Sequence, residues 1–231
     1  MRGYKANLMV DEELMERICG YASLKSSDCV LEIGAGTGNL TSHLAKHAGR
    51  VYAVERDARS CGLLEKRLSG AGKVEIVCAD ALKTPFQSFD KIVSNLPYEI
   101  SRKVTERILS EKFGVAVLVF QKEYAEKLTA KPGSDNYRFI SALAQFSAGI
   151  EVLEIVSPKA FRPEPKVYSA VVRLKQKRIP ERGYIDFLHK VFNHRNKKLK
   201  KLFPAMESLR DIRGFELSPE ELRKVYGEAC S

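Results

Sequence analysis

Three glycines in Glu32-Ile33-Gly34-Ala35-Gly36-Thr37-Gly38 are spaced G-x-G-x-G at the end of an apolar run. Glycines at a strand-to-helix turn let the chain reverse tightly and let a ligand approach the backbone closely. Asn39 occupies the place where a dinucleotide-type G-x-G-x-x-G carries its last glycine, so the spacing counts against NAD. Glu55 follows Gly34 by 21 residues and closes the next apolar run, where a carboxylate can accept hydrogen bonds from both hydroxyls of a ribose. Asp80 closes the run after that and can accept from an adenine amine, with Ala81 and Ile33 offering apolar contact to the ring. The set describes a nucleoside site.

Asn95-Leu96-Pro97-Tyr98 closes a fourth run. An exocyclic amine on a base is a poor nucleophile because its lone pair is delocalised into the ring. The side-chain oxygen of Asn95 and a backbone carbonyl at Leu96 or Pro97 could hold both amine hydrogens, favour a pyramidal nitrogen and aim its lone pair at an electrophilic carbon. Pro97 stiffens the turn and Tyr98 offers a ring for stacking on a flipped-out base. The motif resembles that of enzymes that methylate exocyclic amines of bases, whose sulfonium donor is already activated and needs no strong base.

The elements that position these groups follow from periodicity. Short runs at Val30–Ile33, Val51–Val54, Val74–Val77, Lys91–Ser94 and Val115–Phe120 predict strands, and the last is apolar enough for burial on both faces. Helical spacing separates them, through Leu40 and Leu44, then Leu63, Leu64 and Leu68, then Val104 and Ile108; Asp11 is placed to cap an earlier helix over 12–22. Alternation of this kind predicts right-handed βαβ units, a mostly parallel sheet, and ligands along one rim of it. Residues 150–156 and 167–174 read as two late strands, and the pattern turns helical from Ile185. A boundary near 177–183 divides a first unit, 1–178, from a second, 179–231.

The chain has 231 residues, 44% hydrophobic, and a net charge of +10. From Arg173 to Lys201 there are eleven Lys or Arg against Glu181 and Asp186, so this stretch alone carries +9. Such a concentration predicts a phosphate-contacting surface rather than a general excess. No apolar run approaches the roughly 20 residues of a membrane span, and no apolar segment follows the N-terminal Met1–Lys5 as in a secretory signal. The cysteines, at 19, 29, 61, 78 and 230, are odd in number and show no C-x-x-C spacing, which argues against a disulfide framework or zinc site and for a reducing cytoplasm. No metal is expected.

Further segments occur in order with these motifs: Asn7-Leu8-Met9-Val10-Asp11, then Phe161-Arg162-Pro163-Glu164-Pro165-Lys166-Val167-Tyr168-Ser169, then Phe192-Asn193-His194-Arg195-Asn196-Lys197-Lys198. Together they resemble the ribosomal RNA adenine N6,N6-dimethyltransferase family over residues 3–203. The resemblance implies an α/β class I methyltransferase (Rossmann-like) fold: a mostly parallel seven-stranded sheet with one final antiparallel strand, helices on both faces, and a small helical C-terminal domain. It implies S-adenosyl-L-methionine as donor and two adjacent adenosines near the 3′ end of small-subunit rRNA, within an immature subunit, as target, with the enzyme a monomer. Carried over by position, Asn7, Met9, Gly34, Gly36, Glu55, Asp80, Ala81 and Asn95 would hold the cofactor. Asn95, Leu96, Pro97 and Tyr98 would carry the transfer. Phe161 would stack on the target adenine opposite Tyr98, and Arg195, Lys197 and Lys198 would hold RNA. The chain has Ala6-Asn7-Leu8-Met9 where the family usually has Gln-Asn/His-Phe-Leu.

Other assignments compete. The nearest is a methyltransferase of large-subunit rRNA of the macrolide-resistance type, against which the Asn193–Lys198 segment weighs. A ribosome-assembly RNA-binding factor with secondary catalysis would not need Glu55, Asp80 and Asn95–Tyr98. A dinucleotide oxidoreductase leaves Asn95–Tyr98 unexplained.

Overall fold

The computed structural model describes residues 7–204 and 211–229. Ala6 and Cys230 lie outside the described residues. In chain order the elements are β1 (Leu8–Met9), α1 (Glu12–Tyr21), β2 (Cys29–Ile33), α2 (Asn39–His47), β3 (Arg50–Glu55), α3 (Ala58–Arg67), β4 (Val74–Cys78), β5 (Lys91–Asn95), α4 (Ser101–Leu109), β6 (Val115–Gln121), α5 (Lys122–Leu128), α6 (Phe139–Ser147), β7 (Ala148–Val156), β8 (Phe161–Arg162), β9 (Ser169–Gln176), α7 (Arg182–Asn193), α8 (Leu199–Leu202) and α9 (Pro219–Ala229).

Seven strands form one sheet in the order β4-β3-β2-β5-β6-β9-β7. The first five are parallel, and β9 runs antiparallel between β6 and β7. The parallel part is as the alternating pattern predicts, and the whole is the class I methyltransferase arrangement that the resemblance implies. Residues Ala116 to Phe120 of the central strand β6 have no exposure, which explains the unbroken apolar run. One face packs Leu31, Ile92, Leu118 and Ala170 against α4, α5 and α6; the other packs Val30, Val93, Val119 and Val171 against α1 and α2. The helices start where the sequence provides caps: Asp11 accepts from Leu14 N–H at 2.9 Å, and Asp57 from Ser60 N–H at 2.9 Å.

The C-terminal helices α7 and α9 lie on α6 through an aromatic cluster of Phe146, Tyr184, Phe187 and Tyr226. Their apolar side chains belong to the same continuous core as the sheet face beneath them. The alternating pattern did not predict α5 and α6.

The cysteine reading is corrected in one respect. Cys61 on α3 and Cys78 at the end of β4 form a disulfide with Cα atoms 6.0 Å apart. Residues 17 apart in sequence meet because β3 and β4 pair and α3 packs back over them, a proximity that spacing along the chain does not show. Cys19 and Cys29 are free thiols. Among the described residues no group of His, Cys, Asp and Glu is arranged to hold a metal, and no helix is long and apolar enough to cross a membrane.

Candidate active site

The strand order reverses between β2 and β5, and at such a point an open α/β sheet forms a crevice beyond the carboxyl ends of its strands. Here β2 and β5 pair only as far as Leu31 and Ile92. Beyond that the Ser94 hydroxyl bridges the gap, accepting from Ile33 N–H at 2.8 Å. The strands therefore splay at their ends while the buried Ser94 keeps the glycine turn tied to the strand that carries Asn95.

The glycine turn needs its glycines. Gly34, Gly36 and Gly38 have φ of +76°, +57° and +88°, which side chains rarely adopt. A Cβ on Gly34 would stand 3.0 Å from Pro97 Cδ, so the turn and the Asn95–Tyr98 motif are in close apposition. A Cβ on Gly36 would meet Leu8 Cδ2 at 2.8 Å: Leu8 covers the turn from the N-terminal side.

A cleft opens along this rim. Gly34, Glu55, Asp80, Ala81 and Pro97 all line it, as does Asp57, which the sequence motifs did not single out. The Glu55 carboxylate is fixed by three backbone donors: Arg56 and Asp57 N–H, each at 2.7 Å to Oε1, and Gly36 N–H at 2.9 Å to Oε2. The remaining lone pair, on Oε2, can accept from a ligand. Gly36 thus acts on Glu55 directly. Asp80 Oδ1 accepts from Leu82 N–H at 2.9 Å. The loop after Asp80 is stapled by Arg107, whose guanidinium donates to the carbonyls of Ala81 and Thr84 and stacks 4.0 Å from the Phe86 ring centroid. Arg107 was not legible as part of the site, because its partners are backbone atoms more than 20 residues away.

Asn95 donates through Nδ2 to the Asn7 carbonyl at 3.0 Å, which leaves its side-chain oxygen to accept. The Pro97 carbonyl is already engaged by Ile100 N–H at 3.1 Å and Ser101 Oγ at 3.2 Å. Tyr98 is half-buried; its hydroxyl lies 2.6 Å from Ser169 Oγ, and burial raises its pKa above the usual phenol value, so it stays neutral.

Two expectations for the N-terminal and proline-rich segments are corrected. Met9 pairs with Phe161 across β1 and β8, and both side chains enter the core at 2% and 0% exposure. Met9's carbonyl accepts from Asn39 Nδ2 at 2.6 Å. Met9 therefore ties the N-terminal segment to α2 through its carbonyl while its side chain lies in the core. The Phe161 ring packs with Met9, Val119 and Val171, not over the rim opposite Tyr98. The pairing fixes the backbone so that the ring turns inward, while Tyr168, seven residues on, is the exposed aromatic of this segment.

The basic segment sits at the same end of the molecule as this rim. The connection into α7 starts at the far edge, where Lys177 N–H bonds the Ser147 carbonyl. Near its other end His189 bonds Glu106 of α4 at 2.8 Å and stacks on Phe139. Arg195 is largely a structural residue: its guanidinium stacks 3.9 Å from the Phe215 centroid and donates to the Ser134 carbonyl at 3.0 Å. Lys198 and Lys200 share Asp211. Lys197 and Lys201 are exposed and take no carboxylate partner among the described residues.

The description "Ribosomal RNA adenine dimethylase" belongs to a family model that matches residues 2–213. A probable ribosomal RNA small subunit methyltransferase A of Methanothermobacter thermautotrophicus is 40% identical, over 92% of this chain and 77% of its own. That of Thermococcus gammatolerans is 40% identical over 95% and 85%. A crystal structure of a dimethyladenosine transferase from Plasmodium falciparum superposes with a TM-score of 0.83 at 28% identity, over 94% of this chain and 95% of the other. The 23S rRNA methyltransferase ErmE gives 0.74 at 25%, over 97% and 100%. On the match of nearly its whole length, this chain belongs to the ribosomal RNA adenine dimethylase family.

Proposed function

We propose that this protein transfers methyl groups from S-adenosyl-L-methionine to the N6 amines of two adjacent adenosines near the 3′ end of small-subunit rRNA. The observation that carries the reading is the apposition of the nucleoside cleft and the Asn95–Tyr98 motif across Gly34 and Pro97. Residues suited to a ribose and an adenine line one side; a hydrogen-bond acceptor aimed by its own amide bond stands at the other.

In this reading Glu55 accepts from a ribose hydroxyl, Asp80 from the adenine amine, and Ala81 packs on the ring. When bound, the cofactor supplies the electrophilic methyl. Asn95 Oδ1 and the Leu96 carbonyl hold the amine hydrogens of the target base, since the Pro97 carbonyl is committed to its own turn. Tyr98 stacks on the flipped base, its ring held by Ser169. Residues 1–178 form the catalytic unit and 179–231 the RNA-binding one, with Lys197 and Lys201 as phosphate contacts. The enzyme acts as a monomer on immature small subunits in the cytoplasm. The small-subunit target is favoured over a large-subunit one because the relatives at 40% identity carry the small-subunit name.

The test is to incubate the protein with labelled methyl donor and separated immature ribosomal subunits and map the modified bases. Dimethyladenosine at two neighbouring positions near the 3′ end of the small-subunit rRNA is expected. Label confined to large-subunit rRNA would replace this reading with the alternative.

A further inference from the structure

The rim divides into two halves at Asn95. The nucleoside cleft covers the ends of β2, β3 and β4 on one side. A target adenine placed at Asn95 leaves only the other half, over β6, β9 and β7, for the nucleotides that flank it. That half carries one exposed aromatic ring, Tyr168, at 55% exposure among the described residues.

Its backbone is well anchored. The Tyr168 carbonyl accepts from Lys122 N–H at 2.9 Å, which holds the residue at the joined ends of β6 and β9. The next residue, Ser169, is buried and holds the Tyr98 hydroxyl at 2.6 Å. Tyr168 and the ring expected to stack on the target base are therefore linked through one peptide unit and one hydrogen bond. Strands are spaced by about 4.8 Å, so β9 stands roughly 10 Å from β5. Side chains alternate along extended chain. Val171 faces the α1–α2 side, whereas Ala170 faces the core shared with α6 and α7; alternation puts Ser169 on Val171's side and Tyr168, just before β9, on Ala170's. That is the side on which the basic Arg195–Lys201 segment lies. Exposed Lys166, with no carboxylate partner among the described residues, adds a cation beside it.

We infer that Tyr168 is a stacking platform for a nucleotide flanking the target adenine, a subsite separate from the one that holds the target base itself. This rests on the rRNA methyltransferase reading above. An aromatic ring accepts any base by its face, and an exposed ring at a fixed backbone position gives contact area at little ordering cost. The core gains nothing from the ring where it stands. Tyr168 aligns and retains RNA; it takes no part in methyl transfer.

The experiment measures methyl transfer to small subunits that lack the modification, over a range of subunit concentrations, at saturating donor. Tyr168→Ala should raise the half-saturating subunit concentration by about fivefold or more, as loss of one base stack does. The rate at saturation should stay within about twofold of wild type, and affinity for S-adenosylhomocysteine and the melting temperature should not move. Tyr168→Phe and Tyr168→Trp should restore wild-type behaviour, and Tyr168→Leu should not. Unchanged half-saturation for Tyr168→Ala would overturn the subsite, as would full rescue by Leu, which would assign the residue a generic apolar contact. If wild-type protein transferred no methyl to these subunits, the underlying reading would fall first and the subsite with it.

Discussion

Replacing Glu55 by Ala tests the nucleoside cleft at its best-defined point. The carboxylate accepts three backbone N–H groups at 2.7 to 2.9 Å, so it is held in one orientation before any ligand arrives. A ribose hydroxyl donating to the remaining lone pair of a fixed carboxylate would make a charge-assisted hydrogen bond worth about 1.5–3 kcal/mol when broken. Water takes over part of that loss at a half-open cleft, so a net cost of about 1–3 kcal/mol is expected, or roughly fivefold to a hundred-and-fiftyfold in Kd. Truncation also strips the Gly36 N–H of its acceptor, which loosens the glycine turn. Glu55→Gln keeps the shape and one acceptor oxygen but turns an NH2 toward a backbone donor, so it should fall between wild type and Ala. The assay is calorimetric titration with S-adenosylhomocysteine, with melting temperature followed in parallel. A wild-type Kd for Glu55→Ala in a folded protein would refute the assignment and move the ribose elsewhere.

Charge reversal of Lys197 and Lys201 together should weaken RNA binding and lower the slope of log affinity against log salt by about one per lysine, with cofactor affinity unchanged; filter binding across salt concentrations checks this. Reversal of Arg195 should instead lower the melting temperature, because that guanidinium is stacked on Phe215 and bonded to the Ser134 carbonyl. Burial pushes the Glu32 carboxyl up to about 8 from an ordinary 4.5. Its folded form therefore binds a proton that the unfolded chain has released, and the stability this provides is full below about pH 4.5 and lost as pH rises through about 8. Glu32→Gln should flatten the fall in urea midpoint between pH 5 and 8.5, and an unchanged difference between those two pH values would show that Glu32 does not titrate in this window.

Much of the architecture is written in local patterns. Apolar runs such as Val115–Phe120 and the cap at Asp11 show their structure directly, and Glu55, Asp80 and Asn95 show their place because each closes such a run. Helix α6 does not, because eight of its nine residues are buried and a helix covered on all sides has no polar stripe to reveal its period. The pairing of Met9 with Phe161 involves two two-residue strands far apart in sequence, so the inward turn of the Phe161 ring had no local signal. The same holds for Ser94 and Ser169, each with one long-range bond to a motif residue, and for Arg107, which bonds two carbonyls of the loop after Asp80. Cys61 and Cys78 belong to this class as well. Sequence pattern discloses which groups could react; the contacts that aim them are tertiary.

Asn95→Ala, followed by single-turnover methyl transfer at saturating subunits and saturating S-adenosyl-L-methionine, tests the central claim most directly. Asn95 holds the N-terminal segment through Asn7 and leaves its oxygen for the amine, a contact that strengthens as the nitrogen turns toward the methyl group. Loss of such a preorganised group costs on the order of a hundredfold to a thousandfold in rate. Subunit binding should survive, because most of its affinity comes from phosphate contacts. A slow single turnover with near-normal subunit affinity is the result this account predicts. A wild-type rate for Asn95→Ala under those conditions would contradict it, and the amine-activating role of the Asn95–Tyr98 motif would have to be abandoned.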